Sequence, residues 1–205
     1  MSPRAIDPLR ADIAEQAKRC EDLGELGAAA RGCTACPELA AARRQVVVGD
    51  VVAGARLLIV GDAPGANEDE AGRPFVGKGG QLLDRLMADA GLDRADVSVL
   101  NVLKCRPPSN RTPTRAEAHR CTGWLDRQVE LLDPHHVLTL GRTALTWALG
   151  ASTTLAAVRG RVHDWRGRKL IVSYHPSAAL RFGPRGEPHL ALADDLRFVA
   201  AALAC

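Results

Sequence analysis

Aromatic side chains are scarce in this chain: Phe, Trp and Tyr together make up 3% of its 205 residues. Any site that works by stacking must rest on one or two of them, so each aromatic near a candidate site carries weight. Long apolar runs are absent as well. No stretch approaches the roughly 20 residues that a membrane-spanning helix needs. The opening segment MSPRAIDPLRADIAEQAKRC carries early charges and no apolar stretch, unlike a secretory signal. Internal repeats, low-complexity tracts and breaks in composition are also missing. One domain over residues 1–205 is therefore expected, with residues 1–32 as a helical segment packed on it. The charge balance is nearly even. A net charge of +3 permits a nucleic-acid partner without demanding one. The cytosol (for a bacterium, cytosol and nucleoid) is the default compartment.

What the chain does have is cysteine. Four of its six cysteines, Cys33, Cys36, Cys105 and Cys121, form a C-x-x-C pair with two partners far downstream. Cytosolic thiols stay reduced and serve more often as ligands than as disulfides. Four thiolates fill every protein-supplied position around a structural zinc or an iron–sulfur cluster. The spacing alone does not choose between the two. A thioredoxin-like redox pair fits less well, because the motif precedes a loop and not a strand-to-helix turn. Cys20 and Cys205 read as small buried hydrophobes.

Hydrophobic periodicity organises the rest. Apolar positions from Leu9 to Leu26 predict one amphipathic helix over 9–30. Arg56–Gly61 is a short apolar run that stops at glycine, as a buried parallel strand does. A Gly/Pro-rich loop over 62–78 and a helix over Gly79–Ala90 follow. Val97–Asn101 predicts a second strand, and Arg106–Pro113 a Pro-rich loop. Thr114-Arg115-Ala116-Glu117 is a capping box that starts a helix running to about Leu132. Val137–Gly141 is a third strand, followed by a helix to Leu149. Leu155–Arg166 is an irregular or hairpin segment. Leu170–Tyr174 is a fourth strand, and a last helix covers about Leu190–Leu203. Alternating strands and helices predict an α/β fold, with a four-stranded parallel sheet covered on both faces.

In such folds ligands bind beyond the carboxyl ends of the strands. The loops after strands one, two and four bring Asp62, Asn101 and His175 to that edge. A carboxylate, an amide and an imidazole would then share one cleft. The glycines of the first loop either shape a turn or let backbone amides approach an anion.

These residues also carry a resemblance. Gly61-Asp62-Ala63-Pro64-Gly65 with Glu68-Asp69 and Gly72-Arg73-Pro74-Phe75-Val76-Gly77 resembles the first motif of the family 4 uracil-DNA glycosylases. Asn101-Val102-Leu103-Lys104-Cys105-Arg106-Pro107-Pro108 resembles the segment around that family's uracil-reading asparagine. His175-Pro176-Ser177 with Leu180-Arg181 resembles its last motif. The resemblance spans about residues 33–200. It implies a three-layer α/β/α sandwich, and a [4Fe–4S] cluster held by Cys33, Cys36, Cys105 and Cys121.

The implied reaction is hydrolysis of the bond joining uracil to DNA, leaving an abasic site. The implied roles follow residue by residue. Phe75 stacks on the base, and Asn101 reads its edge. His175 donates to uracil O2 as charge grows there, and Glu68 lies near the C5 edge and excludes a methyl. Asp62 positions water or steadies the sugar cation. Asp62 and Ala63 depart from the family's usual glutamate and glycine, which shortens the carboxylate's reach and adds a methyl near the base. DNA phosphates would meet Lys78, Arg106, Arg111, Ser177 and Arg181, with Leu180 as a modest wedge. The stretch Ser109–Pro113 lacks the inserted histidine loop by which one relative traps DNA, so turnover and release are expected, not a covalent adduct. The protein is expected to be a monomer. His119 is expected to be structural. A broader range that takes in hypoxanthine or xanthine, and a weakly catalytic uracil-DNA-binding iron–sulfur protein, are the open alternatives.

Overall fold

A computed structural model describes residues 7–204. Its elements in chain order are α1 (Pro8–Lys18), α2 (Leu23–Arg31), α3 (Pro37–Ala42), β1 (Leu57–Gly61), α4 (Ala66–Ala71) and α5 (Lys78–Asp89). Then come β2 (Val97–Asn101), α6 (Arg115–Leu132), β3 (His136–Leu140), α7 (Arg142–Leu149) and α8 (Leu155–Val158). The chain closes with β4 (His163–Trp165), β5 (Arg168–Ser173), α9 (Pro176–Phe182) and α10 (Glu187–Leu203). The strands form one sheet in the order β2-β1-β3-β5-β4. The first four run parallel, and β4 pairs antiparallel with β5.

Alternation along the parallel strands splits the core into two layers. Leu58, Val60, Leu100 and Val172 face α6 and α7 through Leu125, Val129 and Leu145. Leu57, Ile59, Val99 and Ile171 face the other way, onto Leu82 and Leu83 of α5 and Leu192 and Leu196 of α10. β1, β2 and β3 are buried along their whole length, which is why they read as continuous apolar runs. The α/β/α sandwich is thus as expected.

Three details differ from the sequence expectation. The sheet has five strands, not four. The added edge strand β4 lies inside the segment expected to be irregular or a hairpin. Arg166 and Gly167, both at positive φ (47° and 76°), make a two-residue turn of the kind that matches strand twist and folds β4 back on β5. The helix expected over 9–30 is two helices. The Asp22 side chain accepts from the Glu25 amide at 2.8 Å and starts α2 afresh. Both pieces pack on α6, where Ile13, Ala17, Cys20 and Leu26 surround Trp124. Third, α4 and α9 lie in stretches expected to be loops.

The capping box of α6 forms as expected. Glu117 accepts from the Thr114 amide at 2.8 Å, and Thr114 Oγ1 accepts from the Glu117 amide at 3.2 Å.

Candidate active site

The register decides the site. Gly61 and Asn101 are paired at the carboxyl ends of β1 and β2. A methyl group on Gly61 would overlap both the Phe75 ring and Asn101 Oδ1. The absence of a side chain there lets the ring and the amide close over the strand end. We expect Gly61→Ala to push them apart. Activity at this site should fall by at least 10-fold, with a drop in thermal midpoint of a few degrees, since overpacking costs about 1–3 kcal/mol. Unchanged rates would show that the pocket wall is not set at this position.

A cleft of about 400 Å³ opens there, lined by Asp62, Ala63, Glu68, Phe75, Asn101 and His175. All six were picked from the sequence. Lys78, Arg111 and Ser177 line its rim. Phe75 and His175 form adjoining walls, with ring centroids 5.6 Å apart and tilted by 31°.

Asn101 is 2% exposed, and its Oδ1 has no hydrogen-bond partner. A buried acceptor left unpaired costs about 1–3 kcal/mol, so such an atom in a cleft is kept for an incoming donor. The Asn101 backbone carbonyl accepts from Lys104 Nζ at 2.8 Å. Lys104 is itself buried. Burial pulls its pKa down to about 8, against the opposite pull of Cys121 and Cys105.

His175 is the N-cap of α9. Its Nδ1 accepts from the Ser177 amide at 3.2 Å and lies 2.8 Å from the Ser177 hydroxyl. With Nδ1 accepting, the neutral ring carries its proton on Nε2. Burial lowers the His175 pKa, with Asp62 and Glu68 pulling the other way. The neutral donor form is therefore favoured.

Asp62 follows β1 and turns towards α7. Its Oδ1 accepts from the Ala144 amide at 2.9 Å. Gly141, at φ 101°, passes so close that a side chain there would press on the Asp62 carboxylate. Burial raises the Asp62 pKa, countered first by His175 and then by the amides of Ala144 and Thr143. The aspartate thus caps a helix across the sheet edge, not its own turn.

Glu68 accepts from the Gly65 amide at 3.1 Å and from the Gly77 amide at 2.7 Å. The chain's own carboxylate takes these two amides of the first loop and ties α4 to the start of α5.

The predicted phosphate contacts divide. Lys78 and Ser177 stand at the rim. Arg111 also lines it, but makes a two-point pair with Glu117 at 2.7 and 2.9 Å and reaches Glu38 at 3.3 Å. It braces the Pro-rich loop against α6 and α3, and holds the Glu117 carboxyl down at about 2. Arg106 bonds Asn110 Oδ1 at 2.7 Å and lies outside the cleft lining, as do Leu180 and Arg181. Leu180 is exposed on α9, as is Phe182 at its end. His119 lies on α6, exposed at its surface.

The four paired cysteines gather as the spacing suggested. Cys33, Cys36, Cys105 and Cys121 line one small cavity with Arg43 and Leu103. Among the described residues, no three cysteine, histidine or carboxylate side chains are arranged to hold a single metal ion. The thiols have donors of their own. Arg43 Nη1 donates to Cys105 Sγ at 2.9 Å, and Arg43 Nη2 to the Cys33 carbonyl at 2.7 Å. The Lys104 amide donates to Cys121 Sγ at 3.3 Å. Burial raises the Cys36 and Cys105 thiols and pushes Cys121 up to about 12. Arg43 and Lys104 were not singled out in the sequence. Arg43 carries no local signal, because its partner lies far along the chain. Lys104 was legible only as a lysine beside a ligand cysteine. Cys20 is buried against α6 as expected, and Cys205 lies outside the described residues.

Comparison with known proteins agrees with this geometry. Residues 48–197 match the Uracil DNA glycosylase superfamily. A type-4 uracil-DNA glycosylase of Thermotoga maritima is 46% identical over 151 residues, 73% of this chain and 78% of that protein. The chain belongs to the type-4 uracil-DNA glycosylases. Other type-4 members from Pyrobaculum aerophilum and Saccharolobus solfataricus are 41% identical over 168 residues and 39% over 182. They cover 78% and 84% of this chain and are themselves covered by 85% and 82%. This glycosylase is accordingly a hydrolase of N-glycosyl bonds that acts on DNA in repair.

Proposed function

We propose that uracil, turned out of the DNA stack, enters the cleft between Phe75 and His175 and is read by Asn101. The observation that carries this reading is the buried, unpartnered Asn101 Oδ1. It offers an acceptor to uracil N3–H, while the amide NH2 donates to O4. Phe75 supplies the stacking face, and Glu68, already clamped by two amides, forms the wall at the C5 edge. Ala63 adds its methyl to the same wall.

The bond from the sugar to uracil N1 breaks with its electron pair leaving on the base. Negative charge spreads to O2, where the Nε2–H of neutral His175 donates as it develops. The sugar carbon becomes cation-like and takes up water, whose proton passes to the departing uracil anion. Ionised Asp62 steadies that cation and orients the water, directly or through a second water given its short reach. Asp62 therefore sets a pH limb. Its pKa is raised by burial, so the carboxylate forms only above the usual aspartate range. Release should fall as pH drops through that raised value, whereas neutral His175 persists below the usual histidine range. Asp62→Asn should lower the plateau and erase the limb in single-turnover pH profiles. A variant as fast as wild type would remove Asp62 from the mechanism.

The four thiols suit a [4Fe–4S] cluster: four cysteines, one buried and three half-buried, share one small cavity, with donors from Arg43 and the Lys104 amide aimed at sulfur. Bound there, the cluster would tie the Cys33–Cys36 turn to the strand end beside Asn101, a structural service with no electron transfer. Lys78 and Ser177 meet phosphates at the rim, with Leu180 and Arg181 beyond it on α9. We place the protein in the cytosol, acting as a monomer. The direct test is incubation with uracil-containing oligonucleotides beside Asn101→Ala and His175→Ala. Hypoxanthine and xanthine oligonucleotides in the same panel test the range. No uracil release by wild type would end the reading.

A further inference from the structure

A second groove lies beside the uracil cleft and is larger, about 620 Å³. Thr112 and Pro113 line both, so they form the wall between them. The groove runs between α6 and α7 from their first turns down to Asp126 and Trp147, and reaches α1 at Arg10. Three arginines face it from three helices: Arg10 of α1, Arg115 at the start of α6 and Arg142 at the start of α7. None of the three forms an ion pair among the described residues. A fourth, Arg166, is held by Asp126 at 2.8 Å. Asp126 is the groove's single carboxylate, and its charge is thus already matched. Three uncompensated positive charges remain in a concave surface, where their fields add and draw anions.

The position of these charges indicates which anion. α7 begins directly after β3, and α6 begins after the Pro-rich loop that rims the cleft. Both therefore open at the carboxyl edge of the sheet, next to the flipped base. A nucleotide in the cleft carries a phosphate on either side, and a strand leaving across Thr112–Pro113 passes into the groove. We infer that this groove takes the sugar–phosphate backbone of the strand flanking the flipped uracil, with Arg10, Arg115 and Arg142 each neutralising phosphate. The inference rests on the cleft being the uracil site.

Phosphate neutralisation releases counterions, and each contact adds about 0.7 (single strand) to 0.9 (duplex) to the slope of log affinity against log salt. The triple variant Arg10→Gln, Arg115→Gln, Arg142→Gln should lower that slope by about 2–3 on a long uracil oligonucleotide. Its affinity deficit should shrink on oligonucleotides cut back to the uracil from one side, then the other. A control of equal charge change, Arg31→Gln, Arg85→Gln, Arg161→Gln, lies off the groove and should keep the wild-type slope. Circular dichroism and the thermal midpoint verify folding, and single Arg115→Glu and Arg142→Glu variants repeat the measurement should the triple variant fail to fold. An unchanged slope in the groove variants, an equal fall in the control, or a deficit independent of length would each overturn the inference. Wild-type uracil release from short and long substrates reports on the cleft separately.

Discussion

Asn101→Ala is expected to cut single-turnover uracil release by about 10²- to 10³-fold while leaving the thermal midpoint nearly unchanged. The first half follows from chemistry. Removing one aimed hydrogen-bonding group from a site that stabilises developing charge costs about that factor, and Asn101 supplies both an acceptor and a donor. The second half follows from structure. Asn101 Oδ1 is buried without a partner, so the substitution removes a desolvated polar atom that nothing satisfies. That gain offsets the small cavity left behind. The pairing of a large kinetic loss with a small stability change is the mark of a residue held for substrate. A midpoint lowered by 10 °C or more with only a slight loss of rate would mean instead that Asn101 is a packing residue.

The second large effect concerns the cysteines. On the proposed cluster reading, Cys105→Ala or Cys121→Ala should abolish iron and sulfide retention and lower the thermal midpoint by on the order of 10 °C, since a few kcal/mol shifts a chain of this size by that much. Uracil release should fall with it. The reason is position. Cys105 lies four residues after Asn101, and Lys104 between them donates to both sides through different atoms. Its Nζ holds the Asn101 carbonyl, and its amide holds Cys121 Sγ. Losing the site frees the strand end that carries Asn101, the residue proposed to read the base. Cys20→Ala is the comparison, because Cys20 packs in the α1–α2–α6 cluster and does not line the cavity shared by the four cysteines. A folded, iron-free and fully active Cys105 variant would remove the structural reading of the four cysteines.

Much of this was legible in the sequence because it depends on local rules. Apolar runs ending in glycine, a capping box at Thr114 and regular strand–helix alternation placed the parallel strands to within a few residues. The strand-end rule then assembled Asp62, Asn101 and His175 before any contact was visible. Two of the misses share a cause. The break at Asp22 and the strand at His163–Trp165 each turn on one side-chain cap or one two-residue turn. The surrounding pattern of apolar residues does not register either of them.

The sequence by itself determined the α/β class, the residues that line the cleft and the grouping of four thiols, because period, turn chemistry and strand ends are written locally. Only the tertiary structure decided how those residues are held. It assigned Glu68 to the loop's own amides, Arg111 to Glu117, Asp62 to the start of α7 and Lys104 to Asn101. It also left Asn101 Oδ1 unpaired and put three free arginines into one groove. Asp62 with the start of α7, and the three arginines, join segments far apart in the chain, and strand order and packing across the sheet fix which of them meet. The Glu68, Arg111 and Lys104 contacts are short in sequence, but they depend on how the loops fold at the strand ends, which no periodic pattern encodes.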